Sequence, residues 1–241
     1  MPDAAAGREI MAWVDRWDSG FGDLNVELTM RLRTRKGRES ERSLRIAQLE
    51  MPDDGDRLLV LFDTPRAVRG TALLSYSHAV GEDDQWLYLP AFARTRKIAA
   101  RNRSGPFLSS EFAFEDLVAQ ELEKFTYRYL GRGACGELSC LTVERTPLDR
   151  FSGYSRQVVK VHPRHLRIEA IDYYNRSGRL QKQLTQTGFQ HFSDRFWRPA
   201  EMLMVNLITG KSTVLEWRNY RFGTGLDADR DFSVASLRRQ R

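Results

Sequence analysis

Between Leu24 and Leu32 every even position is apolar (Leu24, Val26, Leu28, Met30, Leu32) and every odd one polar (Asn25, Glu27, Thr29, Arg31). A sustained period of two belongs to an extended strand with one apolar and one wet face, as antiparallel sheets have. Lys36-Gly37 is a turn signal into a second strand at 44–49. Strand-like runs then recur between turn signals. One at 57–62 precedes Asp63-Thr64-Pro65, and one at 85–89 follows Gly81-Glu82-Asp83-Asp84. Others are expected at 71–76, 125–130, 138–144, 154–161 and 166–173, at 180–190 after Asn175-Arg176-Ser177-Gly178, at 195–205 as one strand, and at 213–222. The series amounts to about eleven strands.

Helical signals are few. Ile10, Val14 and Trp17 fall at i, i+4 and i+7, Met11 widens the stripe, and Gly20 and Gly22 end it, which predicts a helix over about 4–18. A second, short helical stretch is expected at 112–121. Many short strands without crossover helices mean a mainly β (α+β) fold built on an antiparallel sheet or barrel, not a doubly wound one. No linker or repeat divides residues 1–241, so a single domain is expected, with a flexible tail at 233–241.

Composition narrows the class. Hydrophobic residues make up 41% and charged ones 29%, an ordinary globular mix. The apolar runs are too short for a membrane helix. The net charge is +6, from 38 basic and 32 acidic residues, and only six of the basic ones are Lys. Arg is the better fork for phosphate and carboxylate, so polyanions, anionic lipid and acidic partners are all admissible. The cluster Arg94, Arg96, Lys97, Arg101, Arg103 has no nucleic-acid-binding pattern beside it, and nucleic acid is not expected as a partner. Met1-Pro2-Asp3-Ala4 lacks both regions of a signal peptide, so an exported protein would be represented by its mature chain. Cys135 and Cys140 are not at Cys-x-x-Cys spacing; a local disulfide across a turn and two reduced thiols both fit.

Enzyme signatures are missing: no Gly-rich phosphate loop, no Gly-x-Ser-x-Gly, no His-Glu-x-x-His. His162 and His165 read as turn residues, and adjacent Glu115 and Asp116 would point apart on a helix. No catalytic residue, metal or cofactor is expected. A sheet this large with two helices instead carries more apolar face than such helices cover, and the excess calls for a second sheet, a partner or a cavity. Met30, Trp86, Tyr88, Phe107, Phe112, Phe114, Met202, Met204 and Trp217 are candidates to line such a cavity, although for each one plain core packing is the commoner role.

Three strings carry a family likeness. They are Gln85-Trp86-Leu87-Tyr88-Leu89-Pro90, Arg94-Thr95-Arg96-Lys97-Ile98-Ala99, and Phe107-Leu108-Ser109-Ser110-Glu111-Phe112-Ala113-Phe114-Glu115-Asp116-Leu117. With Gly70-Thr71-Ala72-Leu73-Leu74, Glu144-Arg145-Thr146-Pro147 and the run from Met204 to Thr213, the chain resembles the outer-membrane lipoprotein-sorting proteins, relatives of the carriers LolA and LolB. One departure is Ser109-Ser110-Glu111, where relatives tend to place Gly before Ser or Thr and Asp after it. The resemblance implies an open, strongly curved half-barrel whose mouth is covered by short lid helices, here about 104–122. It also implies a periplasmic carrier that shields the acyl chains of a lipid or lipoprotein, with an RND-type inner-membrane exporter as a further partner. On that basis Leu28, Met30, Leu32, Trp86, Tyr88, Phe107, Phe112, Phe114, Met202, Met204 and Trp217 are assigned to the cavity. Trp86 and Tyr88 share a strand face, so both line it or neither does. Arg94, Arg96 and Lys97 are assigned to head-group or membrane-surface contact. A module docking on a transporter, its concavity filled by its own side chains, is the alternative.

Overall fold

The computed structural model describes residues 3–238. Helix α1 (Ala4–Asp18) is capped by Asp3, whose carboxylate accepts the Ala6 amide. Fourteen of the strands follow in order: β1 (Asp23–Arg33), β2 (Glu39–Leu49), β3 (Arg57–Thr64), β4 (Ala72–Tyr76), β5 (Asp84–Leu89), β6 (Arg94–Lys97), β7 (Phe125–Cys135), β8 (Leu138–Pro147), β9 (Tyr154–Val161), β10 (Ile168–Asn175), β11 (Leu180–Thr187), β12 (Gln190–Phe192), β13 (Phe196–Arg198) and β14 (Glu201–Asn206). Strand β15 (Ser212–Phe222), a one-turn helix α2 (Ala228–Asp231) and a 3₁₀ turn (Ser236–Arg238) end the described residues. Thirteen strands form one open antiparallel sheet in the order β6-β5-β4-β3-β2-β1-β15-β14-β11-β10-β9-β8-β7, and β12 pairs with β13 separately.

The alternating strand is central. It pairs along its length with β2 on one side and β15 on the other, and Leu24, Val26, Leu28 and Met30 are buried. The expectation of about eleven strands is corrected upwards. The short β6 follows Pro90 and a residue with left-handed backbone, Ala93, which hides it in a basic string. The run 195–205 is two strands, because Pro199 and Ala200 break the ladder between β13 and β14.

The two sheet edges, β6 and β7, are joined by residues 98–124, which cross the inner face. Lys124, at the end of this crossing segment, pairs with Asp83 before β5, and Arg103 reaches Asp83 O and Asp149 Oδ2 (3.4 Å) after β8. Those bridges between opposite edges require the sheet to curl. The expected lid helix at 112–121 is corrected too: the segment holds only single 3₁₀ turns, including Phe107–Ser109 and Phe114–Asp116. Left-handed Leu108 and Ser109 (φ 44° and 67°) end the first of these turns, and Leu117 (φ −110°, ψ 39°) departs from helical backbone after the second.

Helix α1 rests against edge strand β7 so closely that a Cβ on Gly7 would come within 2.7 Å of the Tyr129 amide nitrogen. Asp3 and Tyr129 exchange backbone hydrogen bonds there, covering part of the edge. The inner core joins Ile10, Met11 and Val14 of α1 to Leu28, Met30, Val60, Phe62, Phe107, Val143 and Met204. The outer face has its own cluster, in which Phe232 and Leu237 cover Leu59, Leu61, Ala72 and Leu74. Residues 233–238, expected to be flexible, thus contribute a fully buried Leu237 to this cluster, and Ser236 Oγ bonds to Asp231 O. The rest of that expected tail, 239–241, lies outside the described residues. Cys135 and Cys140 are disulfide-bonded across the β7–β8 turn.

Candidate functional site

Between α1, the crossing segment and the inner face of the sheet lies a cavity of about 780 Å³. Met11 and Val14 of α1, Phe112 and Leu122 of the crossing segment, and Ile171, Leu184 and Met202 of the strands give it apolar walls. A second space of about 230 Å³ shares Val14, Ile168 and Met202 with the first, and Trp197, Trp217 and Tyr220 line it. Trp217 Nε1 is buried there without a hydrogen-bond partner among the described residues.

The mouth and the floor differ in charge. At the mouth stand Asp15 and Asp18 of α1, Glu50, Asp54, Asp56 and Glu121. Glu50 also accepts the amides of Gly20 and Gly22 at 2.7 and 2.6 Å, fastening the turn after α1. Burial, against a hydrogen bond from Gln48 and helped by the negative fields of Glu121 and Glu50, pushes the Asp56 carboxyl up to about 6. Burial and neighbouring Glu121 raise Asp15 as well.

The floor is a polar cluster inside the core. Asp116 Oδ2 accepts from the Ala113 amide (2.7 Å) and the Tyr154 hydroxyl (3.0 Å), and Lys182 Nζ reaches the same hydroxyl (3.2 Å). Glu115 accepts from Ser152 Oγ (2.6 Å) and the Gly153 amide (2.8 Å). These two carboxyls tie the crossing segment to the start of β9. Burial, reinforced by Asp116, lifts Glu115 to about 7, and burial raises Asp116 despite Lys182. Arg145 is only 3% exposed and lines the cavity. Its Nε donates to Gln157 Oε1 (2.7 Å), and its guanidinium lies 4.6 Å from the Phe125 ring centre.

Two of the residues assigned to a cavity from sequence line the larger one: Phe112 and Met202. Trp217 lines the smaller space. Leu28, Met30 and Met204 are buried in the inner core, with Leu32 packed beside them. Phe107, on the crossing segment itself, is buried between Phe62 and Phe114, with ring centres at 5.7 and 5.5 Å. Trp86 and Tyr88 must be corrected: they lie on the outer face, packed against the cluster of Phe232 and Leu237. The parity of β5 decides this, since Leu87 is the residue that turns inwards. Arg94, Arg96 and Lys97 are exposed on edge strand β6, where Lys97 pairs with Asp84 at 2.6 Å. Charge on an edge strand discourages further pairing, which is a structural use for this cluster. Arg103, by contrast, is buried and bonded within the fold.

Sequence reasoning did not assign Arg145, Tyr127 or Tyr173 to the site and set Asp116 aside with Glu115 as carboxylates pointing apart; all four of Arg145, Asp116, Tyr127 and Tyr173 line the larger cavity. A signal for the first was present. Leu141 and Val143 alternate inwards along β8, and the next inward position is an arginine.

With this geometry in view, the likeness to solved structures is informative. An outer membrane lipoprotein-sorting protein domain from Vibrio parahaemolyticus is 41% identical, with 98% of this chain and 100% of that one covered and a TM-score of 0.95. The chain belongs to the outer-membrane lipoprotein-sorting protein family. A DUF1329 family protein from Desulfovibrio piger is 27% identical over 98% and 100% of the two chains, with a TM-score of 0.91. A LolA superfamily protein from Nitrosomonas europaea shares the fold at 19% identity, covering 95% and 98%, with a TM-score of 0.75. A family model described as "Uncharacterized protein" matches residues 54–239. A search of the curated proteins finds no match.

Proposed function

We propose that this family member is a non-enzymatic carrier that binds the acyl chains of a lipid or lipoprotein in its inner cavity and moves them through the periplasm towards the outer membrane. The observation that carries this reading is the cavity of about 780 Å³ with apolar walls, left open by the core packing beneath α1. Its volume falls within the range of roughly 300–1,000 Å³ common for small-ligand sites. Each buried methylene contributes about 0.8 kcal/mol. About ten of them give roughly 8 kcal/mol, the gross equivalent of micromolar binding. Met11 and Met202 are unbranched, flexible side chains suited to a chain of variable shape. The disulfide Cys135–Cys140 suits an oxidising compartment. The alternative of a docking module with a filled concavity is disfavoured by the open space, so an exporter of the RND type enters only as a donor of cargo.

The test is extraction of the purified protein followed by lipid mass spectrometry, with uptake of a fluorescent acyl probe in parallel. Co-purified acylated molecules and saturable uptake are expected. Recovery of no lipid together with no uptake would refute the carrier.

A further inference from the structure

Arg145 is a buried cation without an anion. Among the described residues it forms no ion pair, and its one side-chain hydrogen bond leaves from Nε to Gln157. Its two terminal nitrogens make no side-chain hydrogen bond among the described residues, and Arg145 lines the cavity together with Tyr127, Tyr173 and Asp116. Desolvating a guanidinium carries a penalty of several kcal/mol that a neutral amide and a ring face only partly offset. The surrounding charges do not complete it. Asp116 lies beyond ion-pair distance and is already held by the Ala113 amide and the Tyr154 hydroxyl, with Lys182 on the same hydroxyl. Glu115, pushed up to about 7, is largely engaged by Ser152 and Gly153. Two buried cations, Arg145 and Lys182, therefore stand beside two carboxyls whose ionisation burial opposes, and neither cation has an ion-pair partner among the described residues. The mouth is the reverse, with Asp18, Glu50 and Glu121.

From this polarity we infer that the cargo is an acyl amphiphile with an anionic oxygen group, carboxylate or phosphate, which enters to the floor of the cavity and is bound by the Arg145 fork. The inference rests on the carrier reading above and names the chemistry of the group bound. An anionic end left at the mouth meets several carboxylates; at the floor it meets a buried guanidinium with no ion-pair partner among the described residues. A charge-assisted, two-pronged contact of that kind discriminates against a neutral analogue by about ten-fold or more.

The experiment measures binding of anthroyloxy-palmitate, its methyl ester and a fluorescent lysophosphatidate to the full chain at neutral pH and low salt. The wild type is expected to bind one or both anionic probes at least about ten-fold more tightly than the ester. Preference for the carboxylate identifies a fatty-acid-like cargo and preference for the phosphate a phospholipid-like one. Arg145→Met is expected to erase the preference while ester binding persists, and Arg145→Lys to keep part of it. Equal binding of ester and anions by the wild type, or an unchanged preference in Arg145→Met, overturns the inference and leaves the carrier intact. Failure of all three probes to bind the wild type overturns the carrier and the inference with it. The wild-type comparison of acid with ester stands even if a variant does not fold.

Discussion

Glu115 couples the fastening of the crossing segment to pH. Its carboxyl takes hydrogen bonds from Ser152 and Gly153 at the start of β9, and burial lifts it from 4.5 to about 7. The shift of about 2.5 units corresponds to about 3 kcal/mol at 1.36 kcal/mol per unit. The folded state holds the proton more tightly than the unfolded one. This contribution to stability is therefore fully present below about 4.5 and is lost as the pH rises through about 7. Asp56, lifted to about 6, acts in the same direction, so the wild type alone does not isolate Glu115. The comparison with Glu115→Gln does. The amide keeps an acceptor oxygen and cannot ionise; at pH 5 it should cost about 1 kcal/mol for imperfect bonding. At pH 8 it should be about 2 kcal/mol more stable than the wild type, because the wild type then carries a buried charge. Urea unfolding followed by tryptophan fluorescence at the two pH values measures both differences. Parallel pH profiles for variant and wild type would show that Glu115 is ionised in the folded protein at neutral pH, and the account of the floor would fall.

Four further outcomes follow from particular contacts. Gly7→Ala drives a Cβ to 2.7 Å from the Tyr129 amide nitrogen and should lower stability by about 1–3 kcal/mol, read by thermal melting. Ser109→Gly relieves a left-handed backbone at 67° and should raise the melting temperature, by about 1 kcal/mol of stability. Ala119→Trp places a bulky ring at the cavity wall in the half-buried crossing segment; acyl-probe uptake should drop several-fold while circular dichroism is unchanged. Cys135→Ser removes a bridge of sequence separation 5 and should destabilise by about 2 kcal/mol without altering uptake, since neither cysteine lines the cavity.

The sequence by itself determined the antiparallel sheet and the first helix. Period-two alternation in β1 and the stripe Ile10, Val14, Trp17 are local patterns, and each chooses an element without help from the rest of the chain. Turn residues then placed most strand ends correctly, and the family strings pointed to the right relatives. What failed needed information from across the molecule. Alternation says that Trp86 and Tyr88 share a face but not which face. That was decided by Phe232 and Leu237, far along the chain, which supply an apolar cover for the outer side. The basic string Arg94–Lys97 gave no sign of being a strand, because an edge strand is defined by its single neighbour, β5. The cavity too is a tertiary outcome. Leu28 and Met30 are as apolar as Leu184 and Met202, yet they are packed solid while the latter pair borders open space. Which apolar residues become walls depends on where α1 and the crossing segment stop filling the curve of the sheet. Arg145 shows both limits at once: its inward parity was readable in β8, but only the assembled fold leaves its charge without an anion.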